Sequence, residues 1–443
     1  MATSYNTILS RPGARSFTTA GLIARFPMSM VGISTILAVE ELYGSYTAAG
    51  LVSAANFVAM AVGAPVLARC VDRYGQSRVM MPAIVVSSVS LAGLVAAASA
   101  RMHLGVLAVL AALAGGLAGS MGSLVRARWT AMLTRPEDVH AAFSLEAALD
   151  EVAFILGPVL ATALCTTPFL PVTSGWVACL AMQLLGGLWF LSQRATEPVP
   201  HPHRPQRRAG ATESTGTAKV TRAAKATGTS EDAGYRADGA AHDSARHRPV
   251  LRYGAVVAAV VVFLLAGAMF GANDVAAVAF ATEAGHKSAS GLVLAVWGVG
   301  SFAAALLYGS RTWGWPLWKQ LMAGLVALAV GTSTFSLAPN LVVLSVLALV
   351  TGLAIAPTLT SGNNIVQVTV APSQLTEGLA WVSTALNVGV SVGSLLAGQA
   401  ADAGGSRAGY LAVAGFAWVA VVAGIVGLPA LRRARTARPL AAH

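Results

Sequence analysis

Four ionisable residues interrupt stretches that are otherwise apolar: Arg25, Glu146, Asp150 and Glu151. On a helix Glu146 and Asp150, four apart, share one face. Glu151 lies about 100° further round. If helices start near residues 17 and 141, Arg25 and Asp150 stand at matching depths of roughly 12–14 Å, at about 1.5 Å per residue. Matching depth admits an Arg25 pair with Asp150 or Glu146, provided the two helices are neighbours. An unpaired charge in such surroundings is costly. Two roles are open to the set. The charges either neutralise one another, or one carboxylate binds and releases protons. Three acids within six residues exceed what one arginine neutralises, and Asp150 and Glu151 lead as proton carriers. Asp274, beside Asn273, is a further candidate, as a structural cap or as a site residue.

The elements that hold these groups follow from composition. The chain has 443 residues, 56% of them hydrophobic and only 11% charged. Soluble domains carry roughly 25% charge. There is too little polar material for a soluble coat, and disorder or a collagen-like rod is excluded on the same figures. An all-α polytopic membrane protein is expected. Twelve stretches reach the length of about 20 residues that a crossing needs. They run near 17–39, 46–69, 79–100, 104–125, 141–163, 171–192, 253–278, 288–309, 316–337, 341–360, 377–398 and 408–431. The division is a tail (1–16), a six-helix bundle (17–192), a linker (193–252), a second bundle (253–431) and a tail (432–443). The linker is rich in Ala, Thr, Gly, Pro and Arg and is expected to be disordered. Its four histidines, His201, His203, His242 and His247, read as composition rather than metal ligands.

The net charge of +11 sits mainly in loops, linker and tail. That placement marks membrane orientation rather than nucleic-acid binding. Arg11, Arg15, Arg69, Arg73, Arg78, Arg126, Arg128, Arg135, Arg311 and Lys319 fall on one side, with Arg432, Arg433, Arg435 and Arg438 in the tail. The other side has Arg101, Lys287 and Arg407. Both termini are expected in the cytoplasm. Cys70, Cys165 and Cys179 form no metal cluster and read as free thiols. The start does not read as a cleaved signal peptide, and its apolar run is taken as the first span.

The halves match at an offset of 236 residues. Pro136 falls on Pro372, Gly116 on Gly352, Gly157 on Gly393 and Glu151 on Asn387. Parallel repeats of this kind suit transporters that expose a central site alternately to each side.

The loop VDRYGQSRV (71–79) between spans two and three, with Gly63 before it, resembles the signature of the major facilitator superfamily. Gly63, Asp72, Arg73, Gly75 and Arg78 fall on its pattern. The resemblance implies a charge latch on the cytoplasmic side, with Gly75 in a tight turn and Gly63 at a close helix contact. The corresponding loop, YGSRTWGWPLWK, keeps Arg311 and Gly314 but lacks the acid. Its Trp313, Trp315 and Trp318 suit the headgroup level. In span five, EVAFILGPVLAT resembles a motif of proton-coupled drug exporters. Gly157 and Pro158 match its core, while Ala161 and Thr162 replace its later glycines. Arg126 occupies a position similar to the family's span-four arginine. That residue reads as a proton-path group or, with Arg128, as a headgroup-seeking arginine.

A weakly polar cavity between the halves is expected. Asn56, Asn363, Asn364, Gln367 and Asn387 are its polar candidates, and Phe57, Met60, Phe154 and Trp381 its apolar ones. Glu40 and Glu41 read as solvent-exposed, and Glu377 as a helix-start acid. There is no phosphate-binding loop, no His-Glu-x-x-His site and no recognisable ion filter. The expected protein is not an enzyme and needs no cofactor or metal. It is a proton-coupled exporter of a small organic compound, monomeric, in a bacterial plasma membrane. Proton-coupled uptake of a sugar, organic acid or other nutrient is the alternative. A non-transporting receptor or assembly protein is the alternative of another class.

Overall fold

The computed structural model describes residues 2–199, 250–309, 313–371 and 374–433. The four linker histidines, Arg311, Pro372, Arg435 and Arg438 lie outside the described residues.

The first half comprises α1 (Ala2–Leu9), α2 (Ala14–Tyr43), α3 (Tyr46–Tyr74), α4 (Gln76–Ser99), α5 (Leu104–Ala118), α6 (Met121–Met132), α7 (Pro136–Thr166) and α8 (Ser174–Ser192). The second comprises α9 (Gly254–Glu283), α10 (Ser290–Gly309), α11 (Leu317–Phe335), α12 (Leu341–Gly352), α13 (Ile355–Thr369), α14 (Leu375–Val426) and α15 (Leu428–Arg433). In hydrocarbon every backbone group must be satisfied within the segment, so apolar runs of this length become helices. Ten stretches are long and apolar enough to cross a membrane, and the one at Glu377–Val426 is double. Non-helical backbone at Gly404 and Gly405 splits α14 into two crossings. Leu317–Phe335 is a further helix of 19 residues, whose Lys319 and Gln320 lower its hydropathy. Twelve crossings in two six-helix bundles result.

Two crossings are broken where the sequence suggested continuous spans. The fourth stops at Ala118 and resumes at Met121, with Gly119 at φ +69°. The tenth stops at Gly352 and resumes at Ile355. The breaks fall at corresponding places of the 236-residue repeat. The turns are punctuated locally. Gly44 ends α2 with φ +66°, and the Ser45 side chain caps α3 by accepting from the Ala48 amide. Gly75 has φ +96° between α3 and α4, the tight turn expected there.

Small residues bring backbones together, as they do in membrane helix pairs. Gly63 of α3 lies on the backbone of Gly116 in α5, and Gly300 lies beside Gly352 in the second half. Gly267 and Gly271 of α9 meet the α14 backbone, while Gly389 and Gly393 of α14 meet that of α9. A core cluster near the chain start gathers Phe17, Met80, Trp129 and Phe190; a larger one spans both halves. Many large apolar side chains, such as Val89 and Leu306, stay exposed on the outside, as a lipid-facing surface requires.

The chain start and α15 mark one end of the bundles, the terminal face; residues such as Tyr43, Tyr46 and Asp402 mark the far face. The polar contacts described between the halves gather at the far face. Asp402, at the end of the eleventh crossing, accepts from the amides of Tyr46 (2.7 Å) and Thr47 (2.8 Å) and from Ser45 Oγ (2.7 Å). Lys287 pairs with Glu40 and Glu41. Thr162 meets Ser290 at 3.5 Å. Glu41 is exposed, as read from the sequence, whereas Glu40 is only 17% exposed, and the Lys287 side chain crosses from the other half to reach both.

Candidate functional site

The site is built on α2, α6 and α7. Arg25 donates through Nη2 to Glu146 and through Nη1 to Asp150 Oδ1 at 3.0 Å. The same Nη1 reaches the Glu146 carbonyl at 3.3 Å. Arg126 Nη2 binds the other Asp150 oxygen at 2.6 Å. Trp129 Nε1 donates to the second Glu146 oxygen at 2.8 Å. Two arginines thus face two carboxylates, with Asp150 shared between both guanidiniums. Helical spacing explains the convergence, since Glu146 and Asp150 lie one turn apart on α7 and Arg126 and Trp129 nearly one turn apart on α6.

The two acids differ in access. The Glu146 side chain is 0% exposed and Arg25 4%, whereas Asp150 is 27% and Arg126 32% exposed. Glu146 is held by Arg25 and an indole and does not reach solvent. Asp150 and both arginines line a cavity of about 140 Å³.

All residues lining this cavity belong to the first half. Asn56, Met60, Arg126 and Phe154 line it, together with Met28, Val31, Gly119, Gly122 and Gln183. Asn56 also donates to the Ala111 carbonyl at 2.9 Å, joining α3 to α5. The other sequence candidates stand elsewhere. Phe57 closes on Gly32, where a Cβ would lie 3.3 Å from its ring. Asn363, Asn364 and Gln367 lie on α13, and Trp381 and Asn387 on α14; none lines this cavity. Asn387 donates to the Ser383 carbonyl one turn back, at 3.1 Å. Glu151 is half-buried beside Asp150, with no hydrogen bond or ion pair described for it. Asp274 is half-buried on α9, outside the cavity lining.

Around the signature loop, Asp72, Arg73 and Arg78 are exposed, and Arg73 lies over the Tyr74 ring at 5.2 Å. No ion pair is described for Asp72, and among the described residues no latch to the other half occurs on the terminal face. The start of α4 is held instead by Glu197, which accepts from the Ser77 amide at 2.8 Å and from Ser77 Oγ at 2.6 Å. Gly157 faces Ser29 of α2, whose hydroxyl donates to the Ala153 carbonyl at 2.8 Å. The Pro158 carbonyl meets Gly291 of α10. The thiols of Cys70, Cys165 and Cys179 are free, and no metal-binding cluster of His, Cys, Asp and Glu occurs among the described residues.

Arg128 departs from its expected place at the headgroups: it is 0% exposed. Its guanidinium lies 3.8 Å from the Phe190 ring centroid. It donates to Gln76 Oε1, the Gln193 carbonyl and Thr196 Oγ1. These bonds engage Nε and Nη1 inside the bundle, while Nη2 is buried with no partner among the described residues. Sequence reasoning also missed Asp402 and Lys287 as joints between the halves. Their one local signal is Ser45, a helix-capping residue just before an apolar run.

Residues 17–314 match the family model of the Major Facilitator Superfamily. The chain belongs to this superfamily. Among solved structures, the nucleoside transporter NupG is similar with a TM-score of 0.67 at 11% identity, covering 95% of this chain and 99% of that one. A bacterial homolog of the human lysosomal transporter Spinster, inward-facing and unoccupied, gives 0.66 at 14%, with 97% and 100% covered. An auto-inhibited peptide transporter of the POT family gives 0.63 at 15%, with 97% and 99% covered. At these identities the likeness concerns the fold. No curated protein sequence matches the chain. The chain is a multi-pass membrane protein of this transporter superfamily.

Proposed function

We propose that this superfamily member is a proton-coupled secondary transporter of a small organic compound, with Asp150 as the proton carrier. The observation that carries this reading is the sharing of one partly exposed carboxylate between two guanidiniums at a cavity wall. A proton on Asp150 removes the charge that ties α2, α6 and α7 together, while Glu146, out of solvent, keeps Arg25 compensated. The bundles are then biased toward the other opening. Glu151 is the reserve carrier.

The terminal face is assigned to the cytoplasm, because the basic residues gather there. The protein works as a monomer in a bacterial plasma membrane. The far-face joints through Asp402 and Lys287 support reading this state as closed at the far face and open to the cytoplasm.

Export in exchange for protons is the direction supported by the resemblance of EVAFILGPVLAT to the exporter motif. A second reading, uptake of an organic acid together with a proton, is favoured by the charge count. Neutralising Asp150 leaves two arginines against one acid, a cavity that attracts an anion.

Proteoliposomes with an imposed pH gradient test the proposal. Asp150→Asn should abolish gradient-driven flux while expression and fold persist. Glu151→Asn tests the reserve carrier separately. Full flux in both variants would exclude these carriers, and the direction of movement relative to the gradient separates exchange from co-transport.

A further inference from the structure

The wall of the cavity contains a cradle that none of the ion pairs fills. At the break before α6 Gly119 has φ +69°, and Gly119, Ser120, Met121 and Gly122 at the start of α6 line the cavity. The first amides of a helix lack partners within it and carry partial positive charge. Ser120 makes no side-chain cap to them. Gly122, in that first turn, stands over the charged groups. A Cβ there would lie 3.2 Å from Arg126 Nη1, 3.7 Å from Asp150 Oδ1 and 3.9 Å from Arg25 Nε.

Independently, Arg25 Nε is a buried donor with no partner among the described residues. Its residue is 5% exposed and lines the same cavity. A buried donor without an acceptor is expensive, and a ligand oxygen relieves it. Met28, Val31, Met60 and Phe154 give the lining an apolar stretch, beside the polar Asn56, Ser120 and Gln183.

We infer that this cradle binds the carboxylate of an amphipathic organic acid, between Arg25 Nε, Arg126 and the first turn of α6, with the acid's apolar body on Met28, Met60 and Phe154. The inference rests on the reading of this cavity as the transport site and adds the charge class of the substrate. The incoming carboxylate competes with Asp150 for Arg126. It therefore binds best when Asp150 carries a proton, and acid and proton load together. This favours the co-transport reading over exchange.

The test is calorimetric titration of the purified full-length chain with benzoate and octanoate, against benzamide and octylamine. The acids should bind more tightly than amide and amine by about tenfold or more, as expected for a hydrogen bond to a charged group. Gly122→Ala keeps every charge and fills the cradle, so it should weaken acid binding by about tenfold. Arg126→Gln should do the same. Asp150→Asn, which removes the competitor, should tighten it. Thermal unfolding checks that each variant is folded; if Arg126→Gln is not, the other two decide. Equal affinity for benzoate and benzamide, no acid binding, or weakening by Asp150→Asn overturns the inference. If acids fail to bind while another compound moves with the pH gradient, the subsite is wrong and the proton carrier stands. If acids bind selectively but no gradient-driven flux occurs, the subsite stands and the proton carrier is wrong.

Discussion

The carboxylate of Asp402 lies 2.7 Å from the amide nitrogen of Tyr46, although 356 positions separate the two residues in sequence. It thereby adds to the Ser45 cap on a helix that belongs to the opposite bundle. The same carboxylate takes the Thr47 amide and the Ser45 hydroxyl. Opening the far face exposes the start of α3 and removes its acceptor.

Asp402→Ala should therefore favour the state open at the far face. Loss of a cap costs about 1 kcal/mol, roughly a fivefold shift in population. The measurement is labelling of a cysteine placed at Met60 by an impermeant maleimide added from the far side. Labelling should accelerate in the Asp402→Ala background. An unchanged rate would mean that the cap does not hold the face closed.

Glu146 and Asp150 should separate in their effects. Glu146→Ala removes a fully buried partner of Arg25 and leaves the Trp129 indole without its acceptor. Breaking a buried pair in this way costs roughly 3–5 kcal/mol, and thermal unfolding in detergent should show a large fall. Asp150→Asn, at the partly exposed position, should lower the midpoint much less and act on coupling.

Lys287→Gln should loosen the far face through a different route, by leaving Glu40 and Glu41 without their cation. Both sites are partly exposed, so the expected effect is small, about 1 kcal/mol or less, and should weaken further at high salt. The Asp402→Ala effect should change little with salt, because its bonds run to backbone amides and a hydroxyl. Comparing the maleimide rates at low and high ionic strength distinguishes the two joints.

Gly63→Ala should destabilise the first bundle, because the new Cβ meets the Gly116 backbone and α3 must move off α5. Overpacking of this kind costs about 1–3 kcal/mol. Gly415→Ala is the control. Nothing lies within 4 Å of a Cβ there, so helix propensity alone should raise stability, by up to about 1 kcal/mol. Both are read from melting midpoints.

The ion cluster was legible in sequence because depth is written into a membrane helix. Counting residues from each start put Arg25 level with Asp150, and spacing put Glu146 on the same face. Gly63 and Gly75 were legible only through the family resemblance of their loop, which implied a close approach for one and a tight turn for the other. The cavity was less so. Gly119 sits in a run of Gly and Ala where a break leaves no distinct trace, and without the break the fourth span reads as one rod. Candidates were thus sought on both sides of the interface, whereas the cavity is lined by one bundle. Arg128 looked like a surface anchor because its partners, Phe190, Gln193 and Thr196, are more than sixty positions away. Asp402 and Lys287 act only across the two halves, which no local pattern records.

The broken fourth and tenth crossings bear on how the duplicated architecture divides its labour. Both copies carry the interruption, yet among the described residues the buried ion pairs stand beside the first alone. The second copy packs α9 on α14 backbone to backbone, as the first packs α3 on α5. On the proposed reading, one bundle takes up the proton and the other answers only as a packed body. A local change of charge then becomes a tilt of one bundle against the other rather than a dent in a soft wall.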